Sequence, residues 1–184
     1  VGEGAMAAIL GLDFDVVRNI AAEAAENEVC AAANDNAPGQ VVVSGHAGAV
    51  DRAIALAKSQ GAKRALPLSV SAPFHCALMA PAAEVMAERL ASVNLAPPRV
   101  PLVANVTARK VSDPDTIRSQ LVAQVTGTVR WRESVLQMVA DGTDTFIEIG
   151  AGKVLSGLVK RTADDVVTAN LETPNDLDAL AKIL

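Results

Sequence analysis

The chain has 184 residues, of which 51% are apolar and 2% aromatic, and its formal net charge at pH 7 is −5. An acidic chain with few aromatic side chains is not expected to bind nucleic acid, and a chain without a long apolar run is not expected to cross a membrane. The length predicts one domain, or a domain with a subdomain, and a core of Ala, Val, Leu and Ile is typical of parallel sheets covered by helices.

The two cysteines, Cys30 and Cys76, are too few for a disulfide framework or a zinc site. Free thiols and the lack of a signal-peptide pattern indicate the reducing cytoplasm. Residues 1–5 have the composition of a loop entered from earlier sequence, so we expect the native protein to carry further residues upstream of Val1.

The first part of the chain predicts strands and helices in the order βαββαβ, which is typical of a ferredoxin-like fold. Apolar runs indicate the four strands, and apolar residues at helical spacing indicate the two helices. Residues 34–40 are rich in turn formers and separate the two central strands. The predicted strands cover 5–12, 29–34, 40–44 and 62–66, and the predicted helices cover 14–26 and 47–60.

The second part of the chain alternates strand and helix patterns, which predicts a parallel sheet. Ser112 or Asp113 is a candidate N-cap with Pro114 in the first helical turn. Strands are predicted at 68–72, 101–105 and 145–149, and helices at 76–92, after 112–115, at about 131–140 and after the turn at 150–153.

His75 is the most informative single residue, because it lies where the strand predicted at 68–72 ends and a helix is predicted to begin. Histidine is well suited to move protons near neutral pH, and rigid elements on both sides would fix its geometry. A structural histidine that caps the following helix is an equally good interpretation from position alone. Cys76 is adjacent, but neighbouring helical residues point in different directions, so a small buried apolar role is favoured for it.

No G-x-S-x-G nucleophile elbow occurs in the 184 residues. If His75 is a general base, it therefore serves an acyl-transfer nucleophile that lies elsewhere. The Gly-Ala-Gly-Lys turn at 150–153 is not a P-loop, because Ile147 and Val154 occupy positions that need glycine and Ser or Thr. A tight turn from strand to helix is the simpler interpretation, and Glu148 beside it would oppose a bound anion.

Three further features have both a plain and a functional interpretation. His46 is better explained by helix capping or solvent exposure than by catalysis. Asn34, Asp35 and Asn36 are most simply turn formers, although Asn36 is a candidate to present its amide to a ligand. Basic pairs such as Lys63–Arg64 are usually solvated, but pairs near a cleft would attract an acidic partner.

The segment Ser-Val-Ser-Ala-Pro-Phe-His-Cys-Ala-Leu-Met at 69–79 resembles the malonyl-CoA:acyl carrier protein transacylases of fatty-acid synthesis. The resemblance covers essentially the whole chain, and its motifs are specific when they are taken together. It continues in order through the segments at 4–11, 34–45, 62–68, 101–105, 129–131 and 148–155.

The resemblance implies an α/β fold, in which a ferredoxin-like (βαββαβ) small subdomain is inserted in an α/β-hydrolase-like large subdomain. The small subdomain is expected at residues 3–67, and residues 68–184 are expected to form the C-terminal part of the large one. The implied reaction is ping-pong: a serine takes malonyl from malonyl-CoA and passes it to the phosphopantetheine thiol of acyl carrier protein.

In the family that this chain resembles, a histidine acts as general base and acid and is oriented by a main-chain carbonyl. The resemblance implies that His75 is this histidine and that Gln124 supplies the carbonyl. Phe74 matches a bulky position that disfavours branched acyl groups by about 1–3 kcal/mol. Lys63 and Arg64 are our candidates for docking the acidic carrier protein. No cofactor or metal is implied.

The family's nucleophilic serine, its carboxylate-binding arginine and its N-terminal oxyanion element are missing from these 184 residues, so we expect the chain alone to be inactive. Two alternatives remain. One is an acyltransferase domain of a polyketide synthase, and the other is a non-catalytic binding module with a ferredoxin-like fold.

Overall fold

A computed structural model describes residues 4–183, which divide into two compact units between Ser134 and Val135. Of the predicted loop at 1–5, positions 1–3 lie outside the described residues, and Gly4 and Ala5 belong to the first strand. Residues 3 and 184, the outer ends of the predicted subdomains, also lie outside them. The boundary predicted between 67 and 68 stays a prediction. Among the described residues, no helix has the length and apolar character needed to cross a membrane.

The first unit opens with a four-stranded sheet in the order β2-β3-β1-β4, with antiparallel pairing throughout. The predicted βαββαβ order and the ferredoxin-like arrangement are confirmed. The elements are β1 (Gly4–Leu10), α1 (Phe14–Ala25), β2 (Cys30–Ala37), β3 (Gln40–His46), α2 (Ala47–Ser59) and β4 (Arg64–Pro67).

Small side chains let both helices pack closely on this sheet. Each helix buries residues spaced three or four apart, which is the pattern of one apolar face. The strands approach each other as closely at Gly45 on β3, because a Cβ there would lie 2.0 Å from the carbonyl oxygen of Val29, just before β2. The buried helix residues are Val17, Ile20, Ala21 and Ala24 on α1, and Ala49, Val50, Ala53 and Ala57 on α2.

Strand β2 is irregular, and this irregularity bears on the site. Its register against β3 shifts between Ala32 and Asn34 and again between Asp35 and Ala37, so Ala33 and Asn36 are extra residues in two bulges. The prediction that residues 34–36 form a turn is therefore wrong. The polar residues lie within a strand because the reversal itself is made by Pro38 and Gly39.

The rest of the first unit contains a 3₁₀ turn (Ala77–Met79), α3 (Ala80–Ala91), β5 (Leu102–Ala104), β6 (Arg109–Val111) and α4 (Pro114–Ala123). Asp113 caps α4 by accepting a hydrogen bond from the Thr116 N–H at 2.8 Å, as the sequence predicted. Helix α5 (Trp131–Ala140) contains the division between the units.

Two predictions for this region are wrong. Residues 68–72 form no strand. The Leu68 N–H donates one further hydrogen bond to the Met6 carbonyl of β1, and the residues after Leu68 have no partner strand. Strand β5 pairs antiparallel with β6 rather than in a parallel sheet. The chain reverses directly after Ala104, with Ala108 at a φ of 50°, and no helix intervenes.

The second unit contains β7 (Thr145–Ile149), α6 (Val154–Thr162), β8 (Val167–Leu171) and α7 (Leu177–Leu180). Here β7 and β8 pair in parallel, as the alternation of strand and helix predicted. The turn at 150–153 joins β7 to α6 and uses two glycines at positive φ, Gly150 at 135° and Gly152 at 87°.

The carboxylate of Glu148 occupies the N-terminus of α6. It accepts hydrogen bonds from the N–H of Leu155 at 3.1 Å, from the N–H and hydroxyl of Ser156 at 2.7 Å each, and from the Asn170 amide at 3.1 Å. These bonds, led by the Ser156 N–H, lower the pKa of Glu148. The plain interpretation of the turn at 150–153 is thus confirmed, since the chain itself supplies the anion at this helix end.

We expect Glu148→Gln to destabilise the fold more at pH 7 than at pH 3. The folded-state pKa of Glu148 is lowered, so its carboxylate stabilises the fold above the unfolded value of about 4.3, and this contribution disappears as the pH falls through the folded-state pKa. Urea unfolding of parent and variant at the two pH values measures the difference. Glu84→Gln, at an exposed position of α3, is the control, and an equal loss at both pH values would contradict the expectation.

Candidate active site

His75 lies in a turn that is held on both sides. Before it, Pro73 packs directly on the first residue of β1, because a Cβ on Gly4 would lie 2.3 Å from the Pro73 ring. After it, the Cys76 thiol donates a hydrogen bond to the Pro73 carbonyl at 3.2 Å. The turn that carries the histidine is therefore attached to the sheet and closed on itself.

The backbone of His75 is in the left-handed region, with a φ of 59°. For a residue with a Cβ this conformation costs about 1–2 kcal/mol. Strain of this kind persists where the surroundings impose it, and it is concentrated at functional sites. It therefore favours the functional interpretation of His75.

The ring of His75 contacts the main chain of Gln124. Its Nδ1 lies 2.9 Å from the carbonyl oxygen of Gln124, the C-cap residue of α4. Since a carbonyl only accepts, the ring proton is assigned to Nδ1, which leaves the Nε2 lone pair free to take a proton. The helix-capping alternative is wrong, because the N-cap positions of the 3₁₀ turn and of α3 are Cys76 and Met79.

Neither cysteine is suited to act as a nucleophile. Cys76 is only 1% exposed and its thiol is used in the turn, which confirms the small buried role. Burial raises the pKa of Cys30 to about 11, so its thiolate is scarce at neutral pH. Phe74, by contrast, lies immediately before the histidine with 39% of its surface exposed.

The other predicted site residues lie at the opposite end of the sheet. Arg64 pairs with Leu10 at the end of β1, and Asn36 is the bulge residue next to the β2–β3 reversal. The seven residues of β1 span about 20 Å, so Lys63, Arg64 and Asn36 are not beside His75. Their roles stay predictions.

His46 has a structural role. It is the N-cap residue of α2, but its side chain makes no cap bond. Its Nδ1 instead accepts a hydrogen bond from the Val29 N–H at 2.9 Å, which joins the start of β2 to the end of β3. The neutral ring therefore carries its proton on Nε2, the reverse of His75.

An ion pair between β2 and the first turn of α5 was missed by sequence reasoning. Asp35 on β2 is 1% exposed, and the Nε of Arg132 lies 3.0 Å from both of its carboxylate oxygens. Burial raises the pKa of Asp35 even though Arg132 opposes this effect. A charged residue at an inward strand position was the available signal, but the prediction of a turn hid it. Among residues 4–183 no group of three potential metal ligands is found.

Comparison with known proteins identifies related chains over nearly the full length. Residues 1–175 match the family model described as acyl transferase domain. The chain is 47% identical over 182 residues to the malonyl CoA-acyl carrier protein transacylase of Escherichia coli (strain K12), covering 99% of this chain and 59% of that protein. For the protein of the same name from Bacillus subtilis (strain 168), the identity is 43% over 184 residues, covering 100% of this chain and 58% of the relative.

Solved structures agree with these matches. The acyl-carrier-protein-S-malonyltransferase from Bartonella henselae has a TM-score of 0.95 at 49% identity, covering 100% of this chain and 58% of that one. A malonyl-transacylase in complex with a type II PKS acyl-carrier protein has a TM-score of 0.94 at 41% identity, covering 98% and 59%. The predicted fold class is confirmed, and the chain spans about 59% of the length of the curated relatives.

We expect His75→Gly to be more stable than His75→Ala by about 1 kcal/mol, because both variants lose the ring but only glycine adopts positive φ without strain. Urea unfolding of the two variants measures the difference. The control is the same pair at Glu84, inside α3, where helical backbone makes glycine less stable than alanine by about 0.5–1 kcal/mol. Equal stabilities at position 75 would contradict the strain argument.

Proposed function

This chain belongs to the acyl transferase domain family, and we propose that the protein containing it transfers malonyl from malonyl-CoA to the phosphopantetheine thiol of acyl carrier protein. The observation that carries the proposal is His75, held in a strained turn with its Nδ1 on the Gln124 carbonyl and its Nε2 free. The names of the relatives support the choice of acyl donor and acceptor. We place this activity in fatty-acid synthesis in the cytoplasm.

In the proposed mechanism, Nε2 of His75 takes the proton of a serine hydroxyl, which the family resemblance places outside these 184 residues. The serine oxygen attacks the thioester carbon, and CoA leaves as the thiol with the proton returned by His75. The carrier thiol then attacks the acyl-serine and gives its proton to Nε2, which passes it to the departing serine oxygen. The Gln124 carbonyl holds the ring through both steps, although a neutral acceptor stabilises an imidazolium less than a carboxylate does.

Two residues are assigned to substrate selection. Phe74 is exposed next to His75, where its ring would crowd an α-branch on the acyl group. Asn36 lies at the far end of the sheet, so any contact it makes is with the distant part of an extended substrate rather than with the reacting carbon.

A polyketide carrier is the second candidate acceptor, because one structural relative was solved in complex with a type II PKS acyl-carrier protein. The chemistry at His75 is the same for both acceptors. The choice is decided by comparing kcat/KM for the two purified carriers.

The first test uses the complete reading frame that contains this chain. We expect malonyl-CoA to leave a covalent malonyl adduct that is then transferred to phosphopantetheinylated carrier protein, as followed by intact mass. His75→Ala should slow adduct formation by about 10²–10⁴-fold, the usual contribution of a general base. His46→Ala, which removes a structural histidine, is the control. A folded parent protein that forms no adduct would favour the non-catalytic binding module.

A separate test concerns the carrier-docking surface that we assign to Lys63 and Arg64, both exposed at the start of β4. Charge reversal of both residues should raise the KM for the carrier protein and weaken its salt dependence, while malonyl-CoA loading is unchanged. Lys160→Glu, on α6, is the control for a change of charge elsewhere. Unchanged carrier kinetics would remove Lys63 and Arg64 from the docking surface.

A further inference from the structure

The Gln124 carbonyl comes from a loop rather than from a regular element. Helix α4 ends at Ala123, Gln124 is its C-cap, and the chain then reverses through a bond from the Gly127 N–H to the Ala123 carbonyl at 3.0 Å. Peptide planes at the end of a helix are less restrained than those inside it. The direction of this carbonyl therefore depends on what holds the residues that follow.

Those residues are bonded to the outer edge of β2. The Thr128 hydroxyl donates to the Ala32 carbonyl, and the Val129 N–H donates to the Ala33 carbonyl, each at 2.8 Å. The Asp35 N–H donates to the Val129 carbonyl, also at 2.8 Å. Ala33 is a bulge residue, so its carbonyl is available on the edge away from β3.

Three residues after Val129, the ion pair between Arg132 and Asp35 makes a further contact between this segment and β2. Arg132 approaches both carboxylate oxygens with Nε at 3.0 Å, and its Nη2 lies 2.8 Å from Oδ2. Asp35 is almost fully buried, whereas 29% of the Arg132 side chain is exposed. A buried carboxylate that loses its partner is strongly disfavoured, so the pair fixes one arrangement of strand and loop.

We propose that Asp35 and Arg132 are positioning residues that hold the 124–129 loop against the bulged edge of β2, and so direct the Gln124 carbonyl at Nδ1 of His75. The catalytic consequence rests on the proposed function, but the effect on the histidine ring does not. A pair that only stabilised the edge of the sheet would change stability and leave the ring unaffected.

The state of the ring is measured by ¹⁵N NMR of the histidine side chains, in the complete protein at a pH where the rings are neutral. In the parent protein the proton of His75 is expected on Nδ1 and that of His46 on Nε2, because their partners are an acceptor and a donor respectively. Arg132→Met should give His75 a mixture of both tautomers and leave His46 unchanged. Arg132→Lys keeps the charge but not the planar fork that reaches both carboxylate oxygens, so it should restore only part of the parent signal.

Two further variants guard against a purely structural effect. Val50→Ala opens the buried core between α2 and the sheet without altering charge, and it should leave the tautomer of His75 unchanged. Replacing both partners, Asp35→Leu with Arg132→Met, removes the pair without leaving an unpaired charge in the core, and it serves if Arg132→Met alone does not fold. A parent-like His75 signal in Arg132→Met, or in the double variant where it replaces Arg132→Met, would overturn the proposal.

Kinetics give the second readout. Arg132→Met should lower kcat for malonyl transfer about tenfold and leave the KM for malonyl-CoA unchanged. A misdirected base stabilises the transition state less, whereas substrate binding does not depend on it. Failure of the parent protein to form an adduct would refute the proposed function alone, since the NMR experiment still decides the positioning role. A fall in kcat with an unaltered His75 signal would refute the positioning role alone.

Discussion

The hydrogen bond between His75 Nδ1 and the Gln124 carbonyl joins groups 49 residues apart, and both sides of this bond have to be held in place by other parts of the first unit. On the histidine side, a strained turn is attached to β1 through Pro73 and Gly4. On the carbonyl side, a helix end is attached to β2. The ferredoxin-like sheet thus acts as the common support for two segments that follow it in the chain.

Close packing of small residues makes this support possible. A chain with 2% aromatic residues cannot fill its core with large rings, and it places alanine, valine and glycine where the backbones approach. At Gly4 and Gly45 a single added methyl group would overlap a proline ring or a carbonyl oxygen. Because Gly4 has no side chain, the His75 turn packs directly against the first residue of β1 through Pro73.

Asp35 and Glu148 are both acceptors for groups within their own unit, but their surroundings act in opposite directions. Burial raises the pKa of Asp35, whereas hydrogen bonds from Ser156, Leu155 and Asn170 lower that of Glu148. One carboxylate therefore needs its arginine to stay ionised inside the fold, and the other is stabilised by the helix end that it caps.

The sequence by itself determined the βαββαβ order, a helix start at Ser112 or Asp113 and the strand–turn–helix at 145–154, because these depend on local periodicity and turn chemistry. The family followed from the resemblance of its motifs to those of a known family. The sequence also identified His75 as a candidate catalytic residue, because it lies where a strand was predicted to end and a helix to begin. The tertiary structure alone decided that the Nδ1 of His75 meets Gln124, that Asp35 is paired with Arg132, and that residues 68–72 lack a partner strand. Each of these depends on contacts between distant parts of the chain or on a bulge in β2, and neither leaves a periodic signal in the sequence.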